Sequence, residues 1–202
     1  MYMRRLMERK RTGASRWLLP FLTGFVAGVL LWNLGGKNFT EESGLLDEYT
    51  LGRIRTMELN HNAFFGYVLQ KRTASLWLLA LASSTFAGVY LLYTYAVWLG
   101  LAGGILLSAA VIRYGIKGML LVITGCLPQY LFYLPAVLLM LNLGYSFCNS
   151  LYVRDGGYSG GKKTLLLRYG LLFLLLHLVV IIGALLESYV NPVFVTRLLR
   201  IF

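Results

Sequence analysis

The sequence is poor in the side chains that build reactive centres. Its 202 residues hold two cysteines, two histidines and eight acids, and none of these falls into a metal-ligand or nucleophile pattern. Cys126 and Cys148 lie in apolar surroundings without a CxxC partner or a nearby histidine pair, so they read as small packing residues and not as a disulfide or a metal site. His61 and His177 stand far apart and match no catalytic motif. No Ser and His, paired Asp or HExxH arrangement occurs within the apolar stretches, which argues against an intramembrane enzyme. The glycine-rich stretch containing Gly156, Gly157, Gly160 and Gly161 lacks the GxxxxGK[ST] spacing and follows no strand, so it is not a phosphate-binding loop. No catalytic residue, metal or cofactor is expected.

Long apolar runs are what the chain has instead. The hydrophobic fraction is 58% and the mean hydropathy is +0.67. Several runs reach or approach the roughly 20 residues that cross about 30 Å of hydrocarbon. A net charge of +11 would fit nucleic acid, but Lys and Arg cluster at the borders of the apolar runs, where they hold helices in register with lipid headgroups. Membrane lipids, and no nucleic acid, are therefore the expected surroundings. The expected fold is all-α: a polytopic integral membrane helix bundle of about five spans with one proline-broken helix.

The chain divides by composition. Residues 1–16 form a basic N-terminus, with Arg4, Arg5, Arg9, Lys10, Arg11 and Arg16 against the single acid Glu8, and should stay in the cytoplasm. Residues 17–34 read as the first transmembrane helix. A basic leader before an apolar run is also what an export signal shows. No small-x-small site precedes Gly35 and Gly36, however, and the run is long for a signal, so an uncleaved anchor is expected. Residues 35–72 are the one long polar segment, placed outside the membrane, and residues 73–202 form the remaining bundle. Between Thr50 and Val68 apolar residues recur at helical spacing, predicting an amphipathic helix. Leu51, Ile54 and Phe65 on its face are candidates for binding a partner, the competing reading being that they pack on this chain's own helices.

From Ser75 to Asn149 the sequence is almost continuously apolar, punctuated by Gly100, Gly103, Gly104, Arg113, Lys117, Pro128 and Pro135. Spans are expected at about 75 to 96, 98 to 112 and 119 to 147, with a final one at about 165 to 186. The third of these is too long for one straight helix, and its prolines predict a kink or a re-entrant segment. Five spans with the N-terminus inside place 10 of the 19 basic residues in cytoplasmic segments and four in the short outer ones, with five in the long outer loop. That asymmetry supports the orientation.

Several residues stand out within the apolar sequence. Gly24 and Gly28 form a GxxxG that lets another helix approach closely, either in this chain or in another protein. The segment from Leu127 to Pro135, LPQYLFYLP, sets Gln129, Tyr130 and Tyr133 between Pro128 and Pro135 and predicts a packing kink or a cavity-lining break. Glu187, in GALLESYVNP ending at Pro192, is the one acid close to a long apolar run. Such a carboxylate sits either in the interface or, at greater cost, inside the bundle. His177 lies ten residues earlier and on another face of the helix, so a proton relay between the two is disfavoured.

These strings carry a resemblance. The basic start, FLTGFVAG from Phe21 to Gly28, DEYTLGRIRTMELN from Asp47 to Asn60, the LP-x6-P break at 127–135 and LLESYVNP from Leu185 to Pro192 occur in the order found in the stage II sporulation protein M (SpoIIM) family, which the chain resembles over most of its length. Gln129 stands where family members commonly have His, Tyr133 where Glu is common and Asn191 where Thr is common; Glu187 matches the family's acid. The resemblance implies a multi-pass protein of the bacterial cell membrane, at the sporulation septum in the mother cell. There it would be a non-enzymatic scaffold recruiting a SpoIID-like lytic transglycosylase and a SpoIIP-like amidase/endopeptidase, which thin septal peptidoglycan for engulfment. The proline-rich break and Glu187 also fit an alternative, a transporter or permease subunit.

Overall fold

The computed structural model describes residues 2–43, 61–152 and 161–199. The described residues form helices and no strands: α1 (Tyr2–Ser43), α2 (His61–Ser83), α3 (Gly88–Tyr152), α4 (Gly161–Leu185), a π-helical turn (Leu186–Val190) and α5 (Asn191–Leu199). Apolar composition makes these helices, because in hydrocarbon only a helix satisfies its backbone groups within one segment. Most of the expected amphipathic helix, including Leu51 and Ile54, lies outside the described residues.

α3 is two helices joined at Gly115, the one residue inside it with non-helical backbone (φ 58, ψ −137). A positive φ of this kind is open to glycine and costly for residues with a Cβ. The chain reverses there, so that Gly118 packs on the backbone of Ala110, and Gly144 lies against Leu92. The arms 88–114 and 116–152 are thus antiparallel. The expected break at the prolines sits differently: Pro128 and Pro135 both lie within the helical second arm, and the departure from helix is upstream of them.

The expected division into spans at 75–96 and 98–112 is corrected by the structure. The chain turns at 84–87, ahead of Gly88. Hydroxyl side chains make that stop possible inside an apolar run, because they satisfy the last carbonyls of α2 where no further helical N–H can reach. Ser83 and Ser84 both donate to the Ala80 carbonyl, at 2.7 and 3.0 Å, and Thr85 donates to that of Ala82 at 2.8 Å. Gly100 and Gly104 mark no boundary. They lie inside the first arm of α3, where their missing side chains admit α1.

That contact is reciprocal. Gly24 and Gly28 sit on the backbone carbonyls of Val97 and Leu101, while Gly100 and Gly104 sit on those of Phe21 and Phe25. The offset is constant along both helices, so α1 and the first arm run parallel. The GxxxG of α1 is consumed within the chain. One end of the packing is closed by Trp17, 1% exposed, whose ring lies 5.0 Å from that of Tyr93 and whose Nε1 donates to Asn142 Oδ1 at 3.0 Å.

α2, the second arm of α3 and α4 form the other half. Ser83 meets Gly144 and Arg72 meets Tyr133, so α2 runs parallel to the second arm. Ser83 also bonds Tyr169 at 2.6 Å and Arg72 bonds Glu187, so α2 runs antiparallel to α4. Tyr169 stacks on Phe147 with ring centroids 4.1 Å apart. Outward faces are apolar, with Leu19, Leu81, Leu131 and Leu174 each more than 60% exposed. Water would penalise such a surface and lipid does not. Three stretches within helices are long and apolar enough to cross a membrane: Ser15–Gly35, Gly88–Tyr152 and Leu166–Phe194. This is a membrane protein, and these criteria mark three helices where five spans were expected.

Candidate functional site

The two strings that stood out in the sequence, LPQYLFYLP and LLESYVNP, meet in space. Pro192 explains the local shape of the second. It has no N–H and its ring crowds the carbonyl four residues back, so a regular α turn is disfavoured there. The chain widens into the π turn instead, and the Asn191 N–H bonds the carbonyl of Leu186, five residues back. Turns of this kind arise where the i to i−4 ladder is interrupted. Ser188 stays buried and donates to the Ala184 carbonyl at 2.8 Å.

Glu187 projects from this turn into the bundle, its side chain 15% exposed. Both carboxylate oxygens are engaged. Arg72 donates from Nη2 to Oε1 at 2.8 Å and from Nε to Oε2 at 3.1 Å, a bidentate pair. The Tyr133 hydroxyl donates to Oε2 at 2.8 Å. The guanidinium also lies 4.7 Å from the Tyr133 ring centroid, a cation–π contact. Tyr133 can lie this close because residue 183 is glycine: a Cβ there would fall 2.6 Å from the ring. Tyr130 meets Tyr133 edge-on, with centroids 6.2 Å apart.

Arg72 is 11 residues before the end of α2 at Ser83, about 16 Å along the axis. Its partner Glu187 lies seven residues before the end of the apolar stretch Leu166–Phe194, with its side chain turned into the bundle while that of Arg72 is 37% exposed. A lone charge inside an apolar bundle is unfavourable, and the pair removes the net charge. The two possibilities for Glu187 thus resolve in favour of the bundle interior.

The other singled-out residues are distributed. Gly24 and Gly28 serve the α1 interface, remote in sequence from the pair. Gln129 is 4% exposed and donates to the Gly125 carbonyl at 2.5 Å, while its own Oε1 has no hydrogen-bond partner. Phe65 is half-buried, its ring 6.4 Å from that of Tyr189, so this partner-binding candidate packs on the chain itself. His177 packs between Trp77 and Phe173 and its Nδ1 lies 3.3 Å from the Phe173 carbonyl, as a packing histidine would. Both cysteines are free, and no group of metal-ligating side chains occurs among the described residues.

Sequence reasoning does not single out Arg72, because Lys and Arg at the borders of apolar runs read as headgroup anchors, and Lys71 and Arg72 stand at such a border. The available signal was pairing: an acid inside a bundle needs a base, and Arg72 stands directly ahead of an apolar run. In sequence Tyr133 stands out as part of the proline-flanked break and as a departure from an acidic family position. The structure shows that its phenol faces the acid of the closing string.

Fold and site together define a class: a polytopic helical membrane protein with an ion pair built into its interior. Within that class, a family model for stage II sporulation protein M matches residues 17–192 of the 202, and the chain belongs to the SpoIIM family. Membership implies a role in sporulation, and the family is not known as an enzyme family. No curated protein and no solved structure matches the chain.

Proposed function

We propose that the protein is a non-enzymatic membrane scaffold of endospore formation that recruits septal peptidoglycan hydrolases, a SpoIID-like lytic transglycosylase and a SpoIIP-like amidase/endopeptidase, for septal thinning and engulfment. Its place is the mother-cell membrane at the septum. Five crossings with a cytoplasmic N-terminus put residues 35–72 on the outer face, where such enzymes work. Alternating directions of α1, α2, the two arms of α3 and α4 agree with that path.

The observation that carries this reading is the state of Glu187. Ion-coupled transport needs a carboxylate that binds and releases its ion, whereas this one is held by a bidentate arginine and a phenol. A carboxylate so engaged serves architecture. The alternative, a transporter or permease subunit, draws on the π turn beside Glu187 and the prolines of the second arm.

Affinity capture of the tagged protein from sporulating cells in mild detergent tests the proposal. Recovery of cell-wall hydrolases is expected. Recovery of an ATPase subunit without hydrolases would favour the permease. Topology is checked by thiol labelling of intact cells: a cysteine at Ser43 should react from outside and one at Ser159 should not.

A further inference from the structure

The ion pair lies at a junction. α2 leads from the outer segment into the bundle, and its first three turns are that segment's described part. Gly66, Tyr67, Gln70 and Lys71 are exposed there, while Val68 is buried. Side chains at this end of α2 meet the C-terminal helices directly. Asn62 Oδ1 accepts from the Tyr189 hydroxyl at 2.7 Å, Phe65 lies on the Tyr189 ring, and Arg72 grips Glu187. Both C-terminal partners, Glu187 and Tyr189, belong to the π turn.

The direction of these two side chains depends on that turn. One residue more or less in a helical turn rotates everything beyond it by about 100°. The turn in its turn depends on Pro192, which withholds the N–H that a regular ladder would use. A chain of causes thus runs from Pro192 through the π turn to Glu187, from there to Arg72 on a platform formed by Tyr133, and so to the outer end of α2.

We infer that Arg72, Tyr133 and Pro192 are positioning residues: with Glu187 they form a clamp that fixes the register of α2 against the C-terminal helices and so sets the face of α2 offered to the recruited hydrolases. The consequence for recruitment rests on the scaffold reading; the clamp itself does not. Arginine suits the role better than lysine, since a planar fork matches the carboxylate at two points and stacks on the phenol while an ammonium does neither.

The test uses the full-length protein in sporulating cells, with Cys126 and Cys148 replaced by alanine and cysteines introduced at Asn62 and Tyr189. A short bismaleimide reads the register, and affinity capture reads recruitment. Arg72→Ala and Pro192→Ala should each lower cross-linking at least fivefold, with capture of hydrolases falling in parallel. Arg72→Lys should fall between these and the parent. The exchange Arg72→Glu with Glu187→Arg should restore both readouts to at least half, which a merely misfolded single variant could not foretell. Cross-linking unchanged in Arg72→Ala, at equal protein level, overturns the clamp. Loss of cross-linking with capture intact overturns its link to recruitment. Failure of the parent to capture any hydrolase contradicts the scaffold reading and leaves the cross-linking result to decide the clamp alone.

Discussion

The two halves of this bundle are held by opposite means. Between α1 and the first arm of α3 the contact is backbone on backbone, made by Gly24 and Gly28 on one side and Gly100 and Gly104 on the other. Between α2, the second arm and α4 the contact is made by long and polar side chains: the Ser83–Tyr169 bond and the Arg72–Glu187–Tyr133 cluster. Lipid offers no hydrophobic drive for helices to associate, so each half relies on one of the two remaining forces, close packing or internal polar bonds. Close packing tolerates no added atoms. Polar contacts tolerate changes of size but not the loss of a partner.

That contrast predicts a graded set of outcomes. The largest effect belongs to Gly100→Leu, which drives a side chain into the backbone of Phe21. Overpacking of a tight contact costs about 1 to 3 kcal/mol or more. The expected result is loss of α1 from the first arm, seen as a collapse of cross-linking between cysteines placed on those helices. Normal cross-linking would show that the glycine contact is not the basis of that half.

An intermediate effect is expected for Arg72→Met, which leaves the Glu187 charge inside the bundle without its base. A charge at the centre of a membrane helix costs about 2.5 to 3.5 kcal/mol, which is the upper figure for one left unpaired here. The melting temperature in detergent should fall clearly. The smallest effect is expected for Tyr133→Phe, which keeps the ring under Arg72 and removes one hydrogen bond, worth about 0.6 kcal/mol on average between membrane helices. A Tyr133→Phe loss as large as that of Arg72→Met would mean that the phenol, and not the ion pair, organises this half.

How much of this was legible beforehand follows from the same contrast. Helical membrane architecture was evident because apolar run length is set by bilayer thickness, and the GxxxG at Gly24 and Gly28 was visible as a local spacing. Its mate was misread. Gly100 and Gly104 looked like punctuation, since sequence alone does not separate a glycine that ends a helix from one that admits a neighbour. The turn at 84–87 was overlooked because serine and threonine are mild in hydropathy, although their hydroxyls are what terminate α2. Glu187 could be singled out as unusual, but its partner lies 115 positions away. On sequence alone Glu187→Gln should be mild in a scaffold, because glutamine keeps the shape and much of the hydrogen bonding and removes only the charge. With Arg72 bound to it, the same change leaves a guanidinium facing a neutral amide, and the expected loss grows accordingly.

The central claim is that Arg72 and Glu187 act as one structural pair. A double-mutant cycle tests it directly: thermal unfolding in detergent of the parent, Arg72→Met, Glu187→Gln and the two combined. Breaking a buried pair strands a charge, whereas replacing both members strands none. The account predicts that the combined variant is more stable than either single variant, approaching the parent. A combined loss equal to the sum of the two single losses would show that the residues act independently, and would contradict the account.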